Sequence, residues 1–413
     1  MSRLLMVESW LGATGRLLPE SIARAGHSYA LVTRNPEIYR SPGDTDEHPV
    51  LKHAAEVIVA ETNELEPLLT ALGPRSFDGV LTVCDYYIGM ARDAARRLGL
   101  PCPFPERISE VRHKHLMRRC LDTAGIDNPR YVAASDWAEA RDAARALGYP
   151  LVLKPADLAS SAFVRLVRDE AELRSAFCAL EAFPLNFRGQ RREPVFLLEE
   201  YMTGPEFSVE SVTADGETTV VGITDKSVTG EPFFIEDGHM FPADLNEADA
   251  RRMTDYVLKA LRAVGFERGI AHTEVKWTPS GPRIVEINPR LPGNYIVELV
   301  ERVTGVDMLR TFVELALGRT PSMDVREGGL RSAAVLFLVP SGSGTVQALE
   351  GVEALRGSPG VLRCDFGDCV GRHIAPAIDN ACYLGHVVAG DASGLGARKL
   401  ARNALDRVRV TFA

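Results

Sequence analysis

The sequence is poor in cysteine, and what it has is not grouped. Cys84, Cys102, Cys120, Cys178, Cys364, Cys369 and Cys382 are scattered over 413 positions. No two show the C-x2-C spacing of a zinc site. The odd count and loose spacing predict buried or free thiols in a reducing compartment. No apolar run approaches the ~18 residues needed to cross a bilayer, so no membrane partner is expected. The opening MSRLLMVESWLG lacks the basic segment and long apolar stretch of a secretory signal, which predicts a cytoplasmic protein. There is no basic excess either: the formal net charge is −9. Nucleic-acid surfaces are basic, so no nucleic-acid partner is expected. No internal repeat and no low-complexity segment is present.

What is there is an ordinary globular composition, 46% hydrophobic and 25% charged. The length predicts two to four domains. Residues 1–105 alternate between short apolar strands (Leu4–Val7, Ser28–Thr33, Val57–Ala60, Gly79–Val83) and helical stretches, one running to Ala25 before Gly26 and one over Ala91–Leu98 before Gly99. That rhythm predicts a parallel α/β domain with buried strands. Gly12-Ala-Thr-Gly15 is not a dinucleotide fingerprint, because G-x-G-x-x-G is absent. Pro101-Cys-Pro-Phe-Pro105 breaks regular structure and reads as a linker. Helices are expected over His113–Thr123, Glu170–Ala182, Ala248–Val264, Val297–Val303 and Leu395–Val408. Strands are expected over Pro150–Lys154, Val195–Leu198, Phe207–Thr213, Val220–Thr224, Ala271–Lys276 and Arg283–Ile287.

The sharpest chemical feature is an acidic hairpin, His272-Thr-Glu274-Val-Lys276, a turn at Thr278-Pro-Ser-Gly281, then Ile284-Val-Glu286-Ile-Asn288. Strand side chains alternate, so Glu286 and Asn288 share a face. If the strands pair across the turn, Glu274 falls opposite Glu286. Two close carboxylates repel unless a proton or cation lies between them, and a hard cation such as Mg²⁺ suits oxygen ligands. A solvent-facing polar hairpin would carry the same letters. Arg290 follows in Asn288-Pro-Arg290-Leu-Pro-Gly293, where a guanidinium could grip a carboxylate or phosphate with two parallel hydrogen bonds.

Other segments are individually ambiguous. Lys154 ends an apolar strand and precedes Pro155, so it faces either an anion or solvent. Lys114 opens a helix and reads as a phosphate contact or a solvated face. Leu197-Leu198-Glu199-Glu200-Tyr201-Met202, the turn Thr203-Gly204-Pro205 and Glu206-Phe-Ser-Val-Glu210 form a hinge. Its backbone could meet an adenine edge, and Glu206 could accept from ribose; a plain hairpin is the alternative.

Taken together, Lys114, Lys154-Pro, Glu199-Glu-Tyr-Met, Gly204-Pro-Glu206 and His272-x-Glu274 to Glu286-x-Asn288-Pro-Arg290 resemble the ATP-grasp superfamily, in its L-amino acid ligase-like carboxylate–amine ligases. The likeness covers most of the chain. It implies an α/β and α+β multidomain fold: an N-terminal parallel α/β domain (1–105), an ATP-grasp fold of two subdomains (106–195 and 196–325) and a biotin-carboxylase-like C-terminal α+β domain (326–413). It implies ATP and Mg²⁺ as cofactors, with Mn²⁺ able to substitute.

The resemblance also implies roles. Lys114, Lys154 and Ser161 would contact ATP phosphates. Glu199, Glu200, Tyr201 and Met202 would hold adenine, and Glu206 ribose. Glu274, Glu286 and Asn288 would hold the metal. Arg290, with Lys154, would be catalytic, binding the substrate carboxylate and stabilising an acyl phosphate. Asp85, Glu236 and His239 of Glu236-Asp-Gly-His239, and Gly293 and Asn294 would line the amino acid pocket. Phe233, Phe234 and Tyr295 read as pocket lining or core. The reaction implied joins small-molecule carboxylate and amine substrates through an acyl phosphate, releasing ADP and phosphate. Other acceptors (a carrier protein, purine-pathway or bicarbonate chemistry) and a non-catalytic nucleotide-binding protein are the alternatives. A homodimer is the assembly implied. One departure stands out: the loop Ala156-Asp-Leu-Ala-Ser-Ser-Ala-Phe163 has no glycine, and is expected to resist the backbone conformations glycine permits.

Overall fold

The computed structural model describes residues 1–40, 47–323, 325 and 329–413. At the N-terminus, four parallel strands lie in the order Glu56–Val59, Ser28–Thr33, Arg3–Val7, Gly79–Leu81. The helix Ile88–Leu98 buries Ala91, Ala94 and Ala95 and ends at Gly99, whose φ of +66° is the left-handed stop that glycine adopts at least cost. One expectation fails here. The strand Glu56–Val59 is an edge, not a buried strand: Val57 and Val59 are 40% and 63% exposed and only Ile58 turns inward. An edge strand has one neighbour and one open side, which a run of valines in the sequence does not reveal.

The second sheet is antiparallel, in the order Tyr131–Ala134, Phe196–Glu200, Leu151–Pro155, Arg165–Val167. The helices Trp137–Leu147 and Glu170–Glu181 cover it. Each starts at an aspartate, Asp136 or Asp169, whose carboxylate accepts the backbone N–H three residues on. The expected boundary between residues 195 and 196 therefore falls one strand too early, because Phe196–Glu200 hydrogen-bonds to both Tyr131–Ala134 and Leu151–Pro155.

The third sheet has eight strands, ordered Gly281–Asn288, Gly269–Thr278, Glu206–Ala214, Glu217–Thr229, Ile235–Phe241, Ser332–Phe337, Gly385–Asp391, Val361–Phe366. Three of these come from the region expected to be a separate C-terminal domain. Ser332–Phe337 pairs antiparallel with Ile235–Phe241, so that region extends the large sheet. The expected boundary itself, between 325 and 326, lies at the edge of residues outside those described. The expected helix Leu395–Val408 is shorter, Ala397–Leu405, beginning after Gly396.

One face of the large sheet is apolar. Phe207, Val209, Val275, Ile284 and Ile287 are buried against Met253, Val257 and Leu261 of the helix Glu247–Ala263. Full burial of such side chains is worth roughly 1.5–3 kcal/mol each. The alternation that supplies this face leaves every second residue for the opposite one. Among the described residues, no helix is long and apolar enough to cross a membrane.

Candidate active site

The opposite face of the large sheet is polar across five strands. Glu274 lies opposite Glu286 and His272 opposite Asn288, but through a bulge: the turn pairs Thr278 with Gly281 and Val275 with Ile284, and Glu274 then skips Val285. On the next strand Glu274 aligns with Ser208 and Lys276 with Glu206. Glu206 in turn aligns with Lys226 of Glu217–Thr229. Lys226 aligns with His239 and Val228 with Glu236, because a bulge leaves Asp237 without a partner. Without that extra residue, Glu236 and His239, three apart, would point to opposite faces.

These side chains and the three bodies around them enclose a cavity of about 940 Å³. The N-terminal domain contributes Trp10, Thr14, Arg16 and Asp85, the small sheet Lys154 and Glu199, and the C-terminal region Asp379–His386. Of the site residues read from sequence, Asn288 and His239 do not line it. Asn288 is buried and donates from Nδ2 to Glu286 at 2.9 Å. His239 was expected at the substrate and is fully buried behind the wall, its Nε2 3.4 Å from Glu236 and 3.2 Å from the Asn294 amide. Its place in mid-strand, packed near Phe337, keeps it from the cavity.

On the polar sheet face, Glu206, Glu236, Glu274 and Glu286 each meet a cation. Lys114 Nζ is 2.6 Å from Glu286 Oε2 and donates to the Leu158 carbonyl. Burial pushes the Glu286 carboxyl up, but Lys114, Asn288 and Lys154 outweigh it and hold it down at about 2. Glu274 sits 2.9 Å from Lys226 and 3.3 Å from His272 Nε2. Burial opposes charge on His272, yet Glu210 at 3.0 Å and Glu274 overcome it and raise the imidazolium to about 9. Glu206 takes Lys226 at 3.2 Å and Lys276 at 3.1 Å. Arg290 donates from Nε to Asp85 at 2.6 Å, joining the large sheet to the N-terminal domain.

The hinge residues divide by strand parity. Glu199 faces inward and is not free to meet a ligand with its carboxylate: it accepts from Arg118 at 2.7 Å and 3.2 Å and pairs with Lys154 at 2.7 Å. Burial drives Lys154 down to about 8, with Glu199 resisting. Glu200 faces outward to Arg130 at 2.9 Å, and the Tyr201 hydroxyl donates to Glu231 at 3.1 Å. All four residues, Glu199 to Met202, line the cavity. Gly293 and Asn294 also line it, and Asn294 donates to Glu236 at 2.8 Å. Tyr295 and Phe234 line the cavity, whereas Phe233 lies outside it under the Arg165 guanidinium at 4.1 Å.

The glycine-free loop does take up glycine-like conformations. Ser160, Ser161 and Phe163 have φ of +61°, +57° and +60°. Buried Leu158 and Ala162 anchor it, Phe163 meets Phe183 at 4.8 Å, and the Ser160 carbonyl accepts from the Asn380 N–H at 3.2 Å. Anchoring at both flanks supplies what glycine would have supplied by freedom, and Ser161 remains on the cavity wall.

Sequence reasoning missed Lys226, Arg118 and Glu210. Thr224-Asp-Lys226 and Glu206-x-Ser-x-Glu210 do alternate, which places them on the polar face, but which strands adjoin could not be read.

The site is thus a cavity of about 940 Å³ between a sheet face of carboxylates fringed by lysines and a small antiparallel sheet. The ATP-grasp domain family matches residues 147–298. The L-amino acid ligase C-terminal domain 2 family matches residues 336–413. An uncharacterized protein of Sinorhizobium fredii is 29% identical over 98% of this chain and 82% of its own length. Carnosine synthase 1 of Gallus gallus is 28% identical over 90% of this chain, which spans only 42% of that protein. The crystal structure of L-amino acid ligase from Bacillus licheniformis superposes with a TM-score of 0.83 at 22% identity, over 100% of this chain and 99% of that one.

Proposed function

We propose that this protein is an ATP-dependent ligase that joins a carboxylate to an amine, both amino acid-like, through an acyl phosphate. The observation that carries this reading is the meeting of Glu274 and Glu286 in direct register beneath two lysines, with Arg290 and Asp85 on the same cavity wall.

The donor set of Glu274, Glu286 and the Asn288 amide suits a hard divalent cation. Among the described residues, no group of three or more His, Cys, Asp or Glu side chains is arranged to hold a metal, so the set is two carboxylates and an amide that would share the ion with nucleotide phosphates. When bound, Mg²⁺ would neutralise phosphate charge. Lys114, which now pairs with Glu286, would be freed toward phosphate, and Lys154 would reach it from the small sheet. The hinge backbone from 199 to 202 would hold adenine. Glu206 would accept from the ribose hydroxyls.

The chain's own work is positioning and charge compensation. Arg290 would orient the substrate carboxylate, whose oxygen attacks the γ-phosphorus of ATP; the bond to ADP breaks. It would then hold the acyl phosphate while the amine displaces phosphate. Glu236, steadied by Asn294 and His239, would face the amino group of an amino acid. No covalent nucleophile is needed. The homodimer expected from sequence belongs to the same reading, and light scattering checks it.

The test is an ADP-release screen over pairs of amino acids and small carboxylic acids with Mg²⁺·ATP. Amine-dependent ADP and phosphate support the reading. AMP and pyrophosphate as products, or no pair giving turnover, would sink it.

A further inference from the structure

Lys226 was not anticipated, and it stands where three subsites meet. Its side chain is fully buried. The ammonium lies 3.2 Å from Glu206, 3.0 Å from Glu236 and 2.9 Å from Glu274. Those carboxylates have different assignments under the reading above: ribose, amino acid and metal. Each has a second contact on its far side, Lys276 for Glu206, Asn294 for Glu236 and His272 for Glu274. Register fixes the arrangement, because Lys226 is level with Glu206 on one neighbouring strand and with His239 on the other.

Three carboxylates converging in a buried place need a central positive charge. Proteins supply one as a bound metal or as a side chain. Here the side chain is in place, and it holds Glu274 from the side facing away from Glu286.

We propose that Lys226 is a resident cation. It positions Glu206, Glu236 and Glu274 together, and it keeps divalent metal out of their junction, confining the ion to the Glu274–Glu286–Asn288 end. This rests on the metal and nucleotide assignments of the proposed function.

The two roles give opposite signs when the charge is removed. In Lys226→Met the three carboxylates lose their cation. Mn²⁺ without nucleotide, followed by the electron paramagnetic resonance of the free ion, should then bind about fivefold tighter or with one additional ion per chain. ADP without divalent metal, followed by calorimetry, should bind about tenfold more weakly, since Glu206 is no longer held and a nearby positive charge is gone. Lys226→Arg should stay within about threefold of wild type for both, because the charge is kept. A merely structural role would weaken both ligands together. That result, or no change in either, in a Lys226→Met protein that still melts cooperatively, overturns the proposal. If Lys226→Met does not fold, the double variant Lys226→Met/Glu236→Gln relieves one carboxylate, and the same opposite signs are required of it. A wild-type protein that takes up no Mn²⁺, with or without ADP, removes the metal assignment itself. Wild-type Mn²⁺ binding that Lys226→Met leaves unmoved removes only the present proposal.

Discussion

At the scale of single residues, the site is a set of charges whose neighbours decide their use. Glu286 is held ionised by Lys114 and Asn288. Glu286→Ala should abolish turnover in the ADP-release assay while leaving the circular dichroism spectrum unchanged; near-wild-type turnover would refute its assignment to the metal. Glu199 is the contrary case. Its carboxylate lies between Arg118 and Lys154, with side chains 0–4% exposed. Removing one partner leaves buried charge uncompensated, which typically costs about 3–5 kcal/mol. Arg118→Met should therefore lower the unfolding free energy by that order in urea titration. A loss below ~1 kcal/mol would show that water reaches the pair. The place of Glu199 in the hinge is legible in the sequence, but its partner is not: Arg118 is 81 positions away.

At the scale of elements, strand alternation explains most of what was readable. Glu286 and Asn288 could be placed on one face by alternation alone, whereas Glu274 comes opposite Glu286 only because the ladder skips Val285, which the turn at 278–281 does not dictate. Glu236 and His239 could not be so placed, because the bulge at Asp237 changes the parity and no local letter announces it. The loop after Lys154 shows the limit from the other side. Lack of glycine suggested resistance, yet Ser160, Ser161 and Phe163 hold left-handed backbone. Ser160 is exposed, so substitution there isolates the backbone. Ser160→Gly should change stability by less than about 1 kcal/mol, since strain relief and unfolded-chain entropy oppose each other. Ser160→Val, β-branched in a region such residues avoid, should cost more than about 1 kcal/mol. Equal melting curves for the two would refute the left-handed assignment.

At the scale of the molecule, the cavity exists because distant segments close over the sheet. His386 belongs to the C-terminal strands and stacks on Tyr295 at 4.4 Å, with Arg363 2.7 Å from its Nε2. Burial, and then Arg363, push its imidazole down to about 4 from 6.5. The unfolded chain binds this proton more readily than the folded one, so the sign is fixed. The neutral histidine's contribution is fully present above pH ~6.5 and is lost as pH falls toward 4. At full titration that shift is worth on the order of 3 kcal/mol. His386→Gln should flatten the stability profile between pH 6.5 and 4 in denaturant titrations; an unchanged slope would place the acid sensitivity elsewhere.

The sequence by itself pointed to the class of this protein through a resemblance carried by the order and spacing of the acidic hairpin, the lysines and the hinge, each of which is ambiguous alone. Only the tertiary structure decided which charges meet. Lys226 joins Glu206, Glu236 and Glu274 across three strand pairings, Arg118 reaches Glu199 from another element, and Asp85 holds Arg290 across a separation of 205 residues. Ion pairs of this kind depend on distance in space, and a linear pattern fixes that distance only within one hairpin or one turn of helix.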